Sequence, residues 1–138
     1  LRRLSLEEFD TFANDRRMLS ERGADPLLTY DNSSLYTPGA AHVVLEHMGC
    51  CMPFVDCGDG VYDMHFLFPP ATRGAHALSA AKAMVTEVFT KQRARRITGS
   101  ISRSHRAARW FCRQLGFVPV ETSGHQVHYA MDRTEWPG

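Results

Sequence analysis

The stretch HFLFPPATRGAHALSAAKAMV, residues 65–85, decides how this chain is read. Its first four residues are strand-like, and Pro69 and Pro70 end that run because proline has no N–H to give a ladder. Leu78, Ala81 and Val85 then recur at helical spacing. A strand that feeds a helix N-terminus is a place to hold a phosphate, because the first turn presents free N–H groups at the positive end of the helix dipole. Arg73 and Gly74 stand at that entrance, with fewer glycines around them than such loops usually carry.

Working outward, the helical pattern runs over 75–91 with Val88 and Phe89 on the same face. RRITGSI (95–101) then alternates Ile97, Gly99 and Ile101 as a strand. Ala108, Phe111, Cys112 and Leu115 line a shorter helix closed by Gly116, the residue type expected just past a helix C-terminus. FVPVET and VHYAMDR read as a final hairpin around SGHQ. Upstream, HVVLEHM, CCMPFVDC and VYDMHFLF read as an antiparallel meander turned at Gly49 and at GDG (58–60). Residues 1–4 form a short first strand. Ser5 and Glu8 then make a capping box that opens an amphipathic helix with Leu6, Phe9, Phe12 and Ala13 on one face, ending at Gly23. GADPLLTYDNSSLYTPGA (23–40) is a loop long enough to line a site. The predicted order is strand, helix, three strands, helix, strand, helix, two strands.

Composition fits one globular unit over 1–138, with 138 residues, 43% hydrophobic and 22% charged. No apolar run approaches the roughly 20 residues that cross a bilayer, and LRRLSLEEFD is charged rather than signal-like, so a cytoplasmic protein without a membrane partner is expected. Cys50, Cys51, Cys57 and Cys112 lack metal-ligand spacing and read as reduced thiols, and no metal site is expected. The net charge of +1 hides an asymmetry. No acid lies between Glu87 and Glu121, whereas Lys91, Arg93, Arg95, Arg96, Arg103, Arg106, Arg109 and Arg113 fall there. Such a run suits an anionic ligand, or is simply a solvated face. Without an aromatic platform or a DNA-binding motif, a nucleic-acid partner ranks last.

Two segments carry a family likeness. PPATRGAHAL resembles the P-x-x-R-G-x-G-x-G loop, and HRAARWFCRQLGF resembles the N-x-x-A-x-x-L-Y-x-x-L-G-F helix, of the GNAT superfamily of acetyl-CoA-dependent N-acetyltransferases. With the element order, the resemblance spans nearly the whole chain. YDMHFLFPPATRGAHAL is also similar in style to GNAT-like proteins encoded by bacteriophages. The resemblance implies an α+β fold with a mostly antiparallel mixed sheet of about seven strands and three or more helices. It also implies a splay between the fourth and fifth strands that admits the pantetheine arm of the cofactor. Acetyl-CoA is the implied co-substrate, contacted by Leu67, Phe68, Arg73, Gly74, Ala75, His76, Ala77, Leu78 and His105. His76 and Leu78 stand where the family has glycine, and His105 where it has a capping asparagine.

Asp63 and His65, two apart in a strand, point to one face about 7 Å apart along the chain. A carboxylate there can orient His65 as general base, or the two can form a structural ion pair. The motif's tyrosine, which the family uses to protonate the leaving thiolate, is Cys112 here. A thiol can donate a proton in principle or pack as a small core residue. Two functional expectations follow. One is an N-acetyltransferase acting on a small-molecule or protein amine. The other is a GNAT-fold domain that has lost catalysis and joins protein partners in a larger assembly such as a phage virion, in which case the protein resides in the host cytoplasm or the particle.

Overall fold

A computed structural model of the chain describes residues 1–13, 42–68 and 75–137. The predicted helix end at Gly23, the loop 23–40, and Pro69, Pro70, Arg73 and Gly74 lie outside the described residues.

Among the described residues the sheet has seven strands in the order β1-β2-β3-β4-β5-β7-β6. They are β1 (Arg2–Arg3), β2 (His42–His47), β3 (Cys50–Asp56), β4 (Val61–Met64), β5 (Arg96–Ser102), β6 (Val118–Ser123) and β7 (Gln126–Asp132). Helices α1 (Leu6–Ala13), α2 (Ala75–Thr90) and α3 (Arg106–Gln114) fall at the expected places in the order. Among the described residues only β4 and β5 pair in parallel, and α2 is the crossover between them. Every other pairing is antiparallel. None of the described helices is long and apolar enough to cross a membrane.

Strand alternation divides the core in two. On one face Val43, Leu45, Met52, Phe54, Met64, Ile97 and Tyr129 pack with Ala77, Ala81, Met84, Val85, Val88 and Phe89 of α2 and with Cys112 and Leu115 of α3. The three-and-four spacing of those α2 residues makes one stripe, and burying a side chain the size of Val88 or Phe89 stabilises by about 1.5–3 kcal/mol. On the other face Leu4, Phe9, Val44, Cys51 and Leu67 form a smaller cluster under α1. The capping box that opens α1 is made: Ser5 Oγ accepts the Glu8 N–H at 3.1 Å, and the Glu8 carboxylate accepts the Ser5 N–H at 3.0 Å.

The end of α3 follows from Gly116. At φ 99° it occupies backbone space that side chains disfavour. Its N–H then reaches Arg113 O at 2.9 Å and the Phe117 N–H reaches Cys112 O at 3.1 Å, a Schellman motif that drops Phe117 into the core. The C-terminal segment is tied to α2 by Trp136, whose Nε1 donates to Thr86 Oγ1 at 2.9 Å and whose ring lies 5.8 Å from that of Phe89.

One predicted element differs. VYDMHFLF was read as a single strand to Phe68, but the regular ladder of β4 stops at Met64. The cause is Pro53 on β3. His65 N–H reaches Pro53 O at 2.9 Å, yet Pro53 has no N–H to return. Pairing resumes in the same register at Leu67, whose N–H and C=O both bond to Cys51, at 2.9 and 3.1 Å.

Candidate functional site

The two central strands part company beyond Asp63. Parallel pairing runs through Val61↔Arg96, Tyr62↔Ile97 and Asp63↔Thr98 and goes no further. The β4 chain stays with β3 as far as Leu67, while β5 continues along β7 to Ser102↔Gln126. His65 and Leu67 spend their backbone groups on β3. Those of Phe66, between them, point into the opening, and among the described residues nothing bonds to them. An extended amide-bearing ligand could add there as a strand does.

On the α1 face, Asp63 and His65 stand at this opening. The two meet, His65 Nε2 lying 3.4 Å from Asp63 Oδ2, with each side chain about one third exposed. Asp63 is also held from β5, since Thr98 Oγ1 donates to its Oδ1 at 2.9 Å. Ser100 follows on the same face of β5, its Oγ 2.7 Å from His128 Nδ1 on β7. Thr98, Ser100 and His128 were not picked out from the sequence. Alternation in RITGSIS already sets Thr98 and Ser100 opposite Ile97, Gly99 and Ile101, but only the β5–β7 register reveals the partner.

On the α2/α3 face the opening is apolar. Met64 lies over Gly99, so close that a Cβ added to the glycine would stand 3.0 Å from Met64 Cε. Phe66, Phe68 and Phe111 form a cluster of edge-on rings with centroids 5.4–5.6 Å apart. Phe111 is the residue of α3 that reaches the β4 extension.

The remaining expected contacts are dispersed. Leu67 turns its side chain into the α1 cluster, away from the rings. At the start of α2, Ala75 is exposed, Ala77 is buried, and Leu78 packs against the main core. His76 Nε2 donates to Met48 O at 3.2 Å, which ties the helix start to the β2–β3 turn, where Met48 and Gly49 both have positive φ. His105 caps α3 as its place in the motif implies, with Nδ1 accepting the Ala108 N–H at 3.2 Å. Cys112 is fully buried, and burial pushes its thiol up to about 12. It is therefore a packed, protonated thiol at neutral pH. Tyr129, opposite Gly99, is also fully buried, and its hydroxyl has no partner among the described residues.

No protein-family model and no curated protein sequence matches the chain. Its fold does match solved structures. The spermidine N-acetyltransferase of Vibrio cholerae, in complex with CoA and spermine, superposes with a TM-score of 0.68 at 13% identity over 99% of this chain and 96% of that one. A GNAT-family acetyltransferase from Bacillus anthracis gives 0.68 at 14% identity over 97% and 94%. The Campylobacter jejuni N-acetyltransferase PseH, in complex with acetyl coenzyme A, gives 0.59 at 9% identity over 70% of each chain. The chain thus has the α+β fold of the GNAT acetyltransferases, and at these identities the likeness is one of fold.

Proposed function

We propose that this protein is an acetyl-CoA-dependent N-acyltransferase acting on an amine. The observation that carries the reading is the opening between β4 and β5, which exposes the Phe66 backbone in the middle of a sheet and places Asp63 and His65 at its mouth. In this reading the amide groups of the pantetheine arm bond to the Phe66 backbone, and Phe66, Phe68 and Phe111 pack along the arm. The pyrophosphate would lie on the first N–H groups of α2, the helix that Arg73 and Gly74 precede in the sequence. His65, oriented by Asp63, removes a proton from the amine, whose nitrogen attacks the thioester carbon to give a tetrahedral adduct that loses its remaining extra proton as the C–S bond breaks. Cys112 does not serve as acid here, because a thiol held at about 12 gives up its proton too reluctantly. The thiolate takes its proton from solvent. Spermine in the Vibrio cholerae enzyme and acetyl coenzyme A in the Campylobacter jejuni enzyme support the reaction class.

A second reading, a catalytically silent domain that serves a larger assembly such as a virion, draws support from Met64 lying across Gly99 and from His76 and Leu78 at the helix entrance. Calorimetric titration with acetyl-CoA, with CoA as comparison, separates the two. The enzyme reading expects micromolar binding, about −8 kcal/mol. Absence of binding at about millimolar ligand, about −4 kcal/mol, sinks it and leaves the silent domain.

A further inference from the structure

Acylation of an alkylamine has a proton requirement that one imidazole meets only by acting twice. At neutral pH the acceptor arrives as an ammonium ion and must lose one proton before its lone pair can attack. Once the N–C bond forms, the nitrogen is cationic again and loses a second proton before or as the C–S bond breaks. An acceptor that is already neutral, such as an arylamine, needs only the second transfer.

The opening between β4 and β5 has His65 on its β4 wall, while the β5 wall carries Ser100, backed by His128 on β7. The β4 wall carries His65 with Asp63. Continued beyond Asp63↔Thr98, the parallel register brings Ser100 level with His65 across the gap, and Ser100 lies on the same face as Thr98. Behind Ser100 stands His128, its direct cross-strand partner, at an Oγ–Nδ1 distance of 2.7 Å. With His128 in the tautomer that carries its proton on Nε2, the hydroxyl donates to Nδ1 at that distance, and a proton can pass along the bond without side-chain movement. Ser100 is exposed and His128 half-buried, so the hydroxyl can meet a ligand while the imidazole behind it is partly shielded. Among the described residues, the charged groups near His128 on the ladder are few. Glu121 is its register partner on β6, and Arg96 on β5 is engaged by Asp132 at 3.2 Å, four pairs along the ladder. Across the gap are Asp63 and His65. Asp63 and His65 on β4 and Ser100 with His128 on β5 and β7 thus form two polar pairs on one face of three adjacent strands, linked by the Thr98 hydroxyl bonded to Asp63.

We infer that Ser100 and His128 form the second proton-accepting wall of the acceptor site. This inference rests on the N-acyltransferase reading above. Ser100 Oγ takes the proton from the nitrogen of the tetrahedral adduct as its own proton passes to His128 Nδ1. The C–S bond then breaks, the sulfur is protonated by solvent, and His128 returns its proton to solvent. His65 takes the earlier proton, the one that makes an ammonium nucleophilic. Ser100 is the catalytic residue of this wall, and His128 acts through it as a positioning and relay residue.

The test compares two acceptors of similar shape, benzylamine, which is protonated at neutral pH, and aniline, which is not. Ser100→Ala and His128→Gln should lower kcat about 100-fold or more with both, the scale of a positioned acid–base group. KM and the acetyl-CoA Kd should stay unchanged, and Ser100→Thr, which keeps the hydroxyl, should restore turnover. His65→Gln should lower kcat with benzylamine and spare aniline. If wild-type protein acetylates either amine and Ser100→Ala and His128→Gln do so equally well, the second wall is wrong and the acyltransferase reading stands. If wild-type protein binds no acetyl-CoA, that reading fails and the second wall falls with it. A purely structural Ser100–His128 bond would show as lost stability at unchanged kcat, which also overturns the proposal.

Discussion

Replacing Asp63 with asparagine distinguishes a catalytic pair from a structural one, because the two predict opposite pairs of magnitudes. Asp63 and His65 lie 3.4 Å apart with 31% and 37% of their side-chain surfaces exposed. So exposed a pair contributes about 0–1 kcal/mol to stability, and it is an ion pair only while His65 is protonated. Asparagine keeps an oxygen for the Thr98 hydroxyl, now bonded at 2.9 Å, so that contact survives. The expected loss of stability is therefore below about 1 kcal/mol. Turnover should respond far more. The carboxylate, 3.4 Å from His65 Nε2, can only accept, so it favours the tautomer with the proton on Nε2 and leaves Nδ1 as the base. An amide turned to present its NH2 group instead favours the other tautomer. If the reacting proton goes to His65, kcat falls by at least about 100-fold, worth about 2.7 kcal/mol of barrier, at an unchanged acetyl-CoA Kd. Urea denaturation, steady-state acetylation and calorimetry on one preparation measure all three. A variant that loses about 2 kcal/mol or more of stability and keeps kcat within about threefold would refute the reasoning and make the pair structural.

Gly116→Ala should destabilise by about 2 kcal/mol, since alanine is strained in the left-handed region and its Cβ would stand 2.7 Å from Met131 Cε. Gly124→Ala, at φ 59° with open space around it, should cost about half as much, and urea midpoints for the two variants check the ratio. At alkaline pH the buried thiols should govern stability. Burial pushes Cys51 and Cys112 from 9.0 up to about 12, so between those values the native state holds protons that the unfolded chain has released. Stability is then full below about pH 9 and falls as pH rises, by up to about 1.4 kcal/mol per pH unit for each thiol. Cys112→Ala should remove one thiol's share of that slope in urea midpoints taken across the range.

Local chemistry was legible along the chain. The capping box at Ser5 and Glu8, the glycine exit of α3 and the three-and-four stripe of α2 depend on residues within a turn of one another, so their patterns appear directly in the sequence. Asp63 and His65 were legible for the same reason, being two apart in one strand. The end of β4 was not, because it is set by a proline on the neighbouring strand rather than by the prolines that follow it. His76 was read as a phosphate contact from its place in the loop motif, but its bond to Met48 O depends on where the β2–β3 turn falls in space.

By itself, then, the sequence determined the element order, the family likeness of two segments, the two faces of each strand and one wall of the candidate site. Those properties follow from periodicities of 2 and 3.6 residues and from the backbone demands of Gly, Pro and capping side chains. The tertiary structure decided where β4 and β5 separate, that Phe66 has no backbone partner among the described residues, that Cys112 is sealed in the core, and that Ser100 meets His128 on the neighbouring strand. Each of these depends on register or packing between segments tens of residues apart, and alternation within one strand carries no information about which residue of a distant strand will lie opposite.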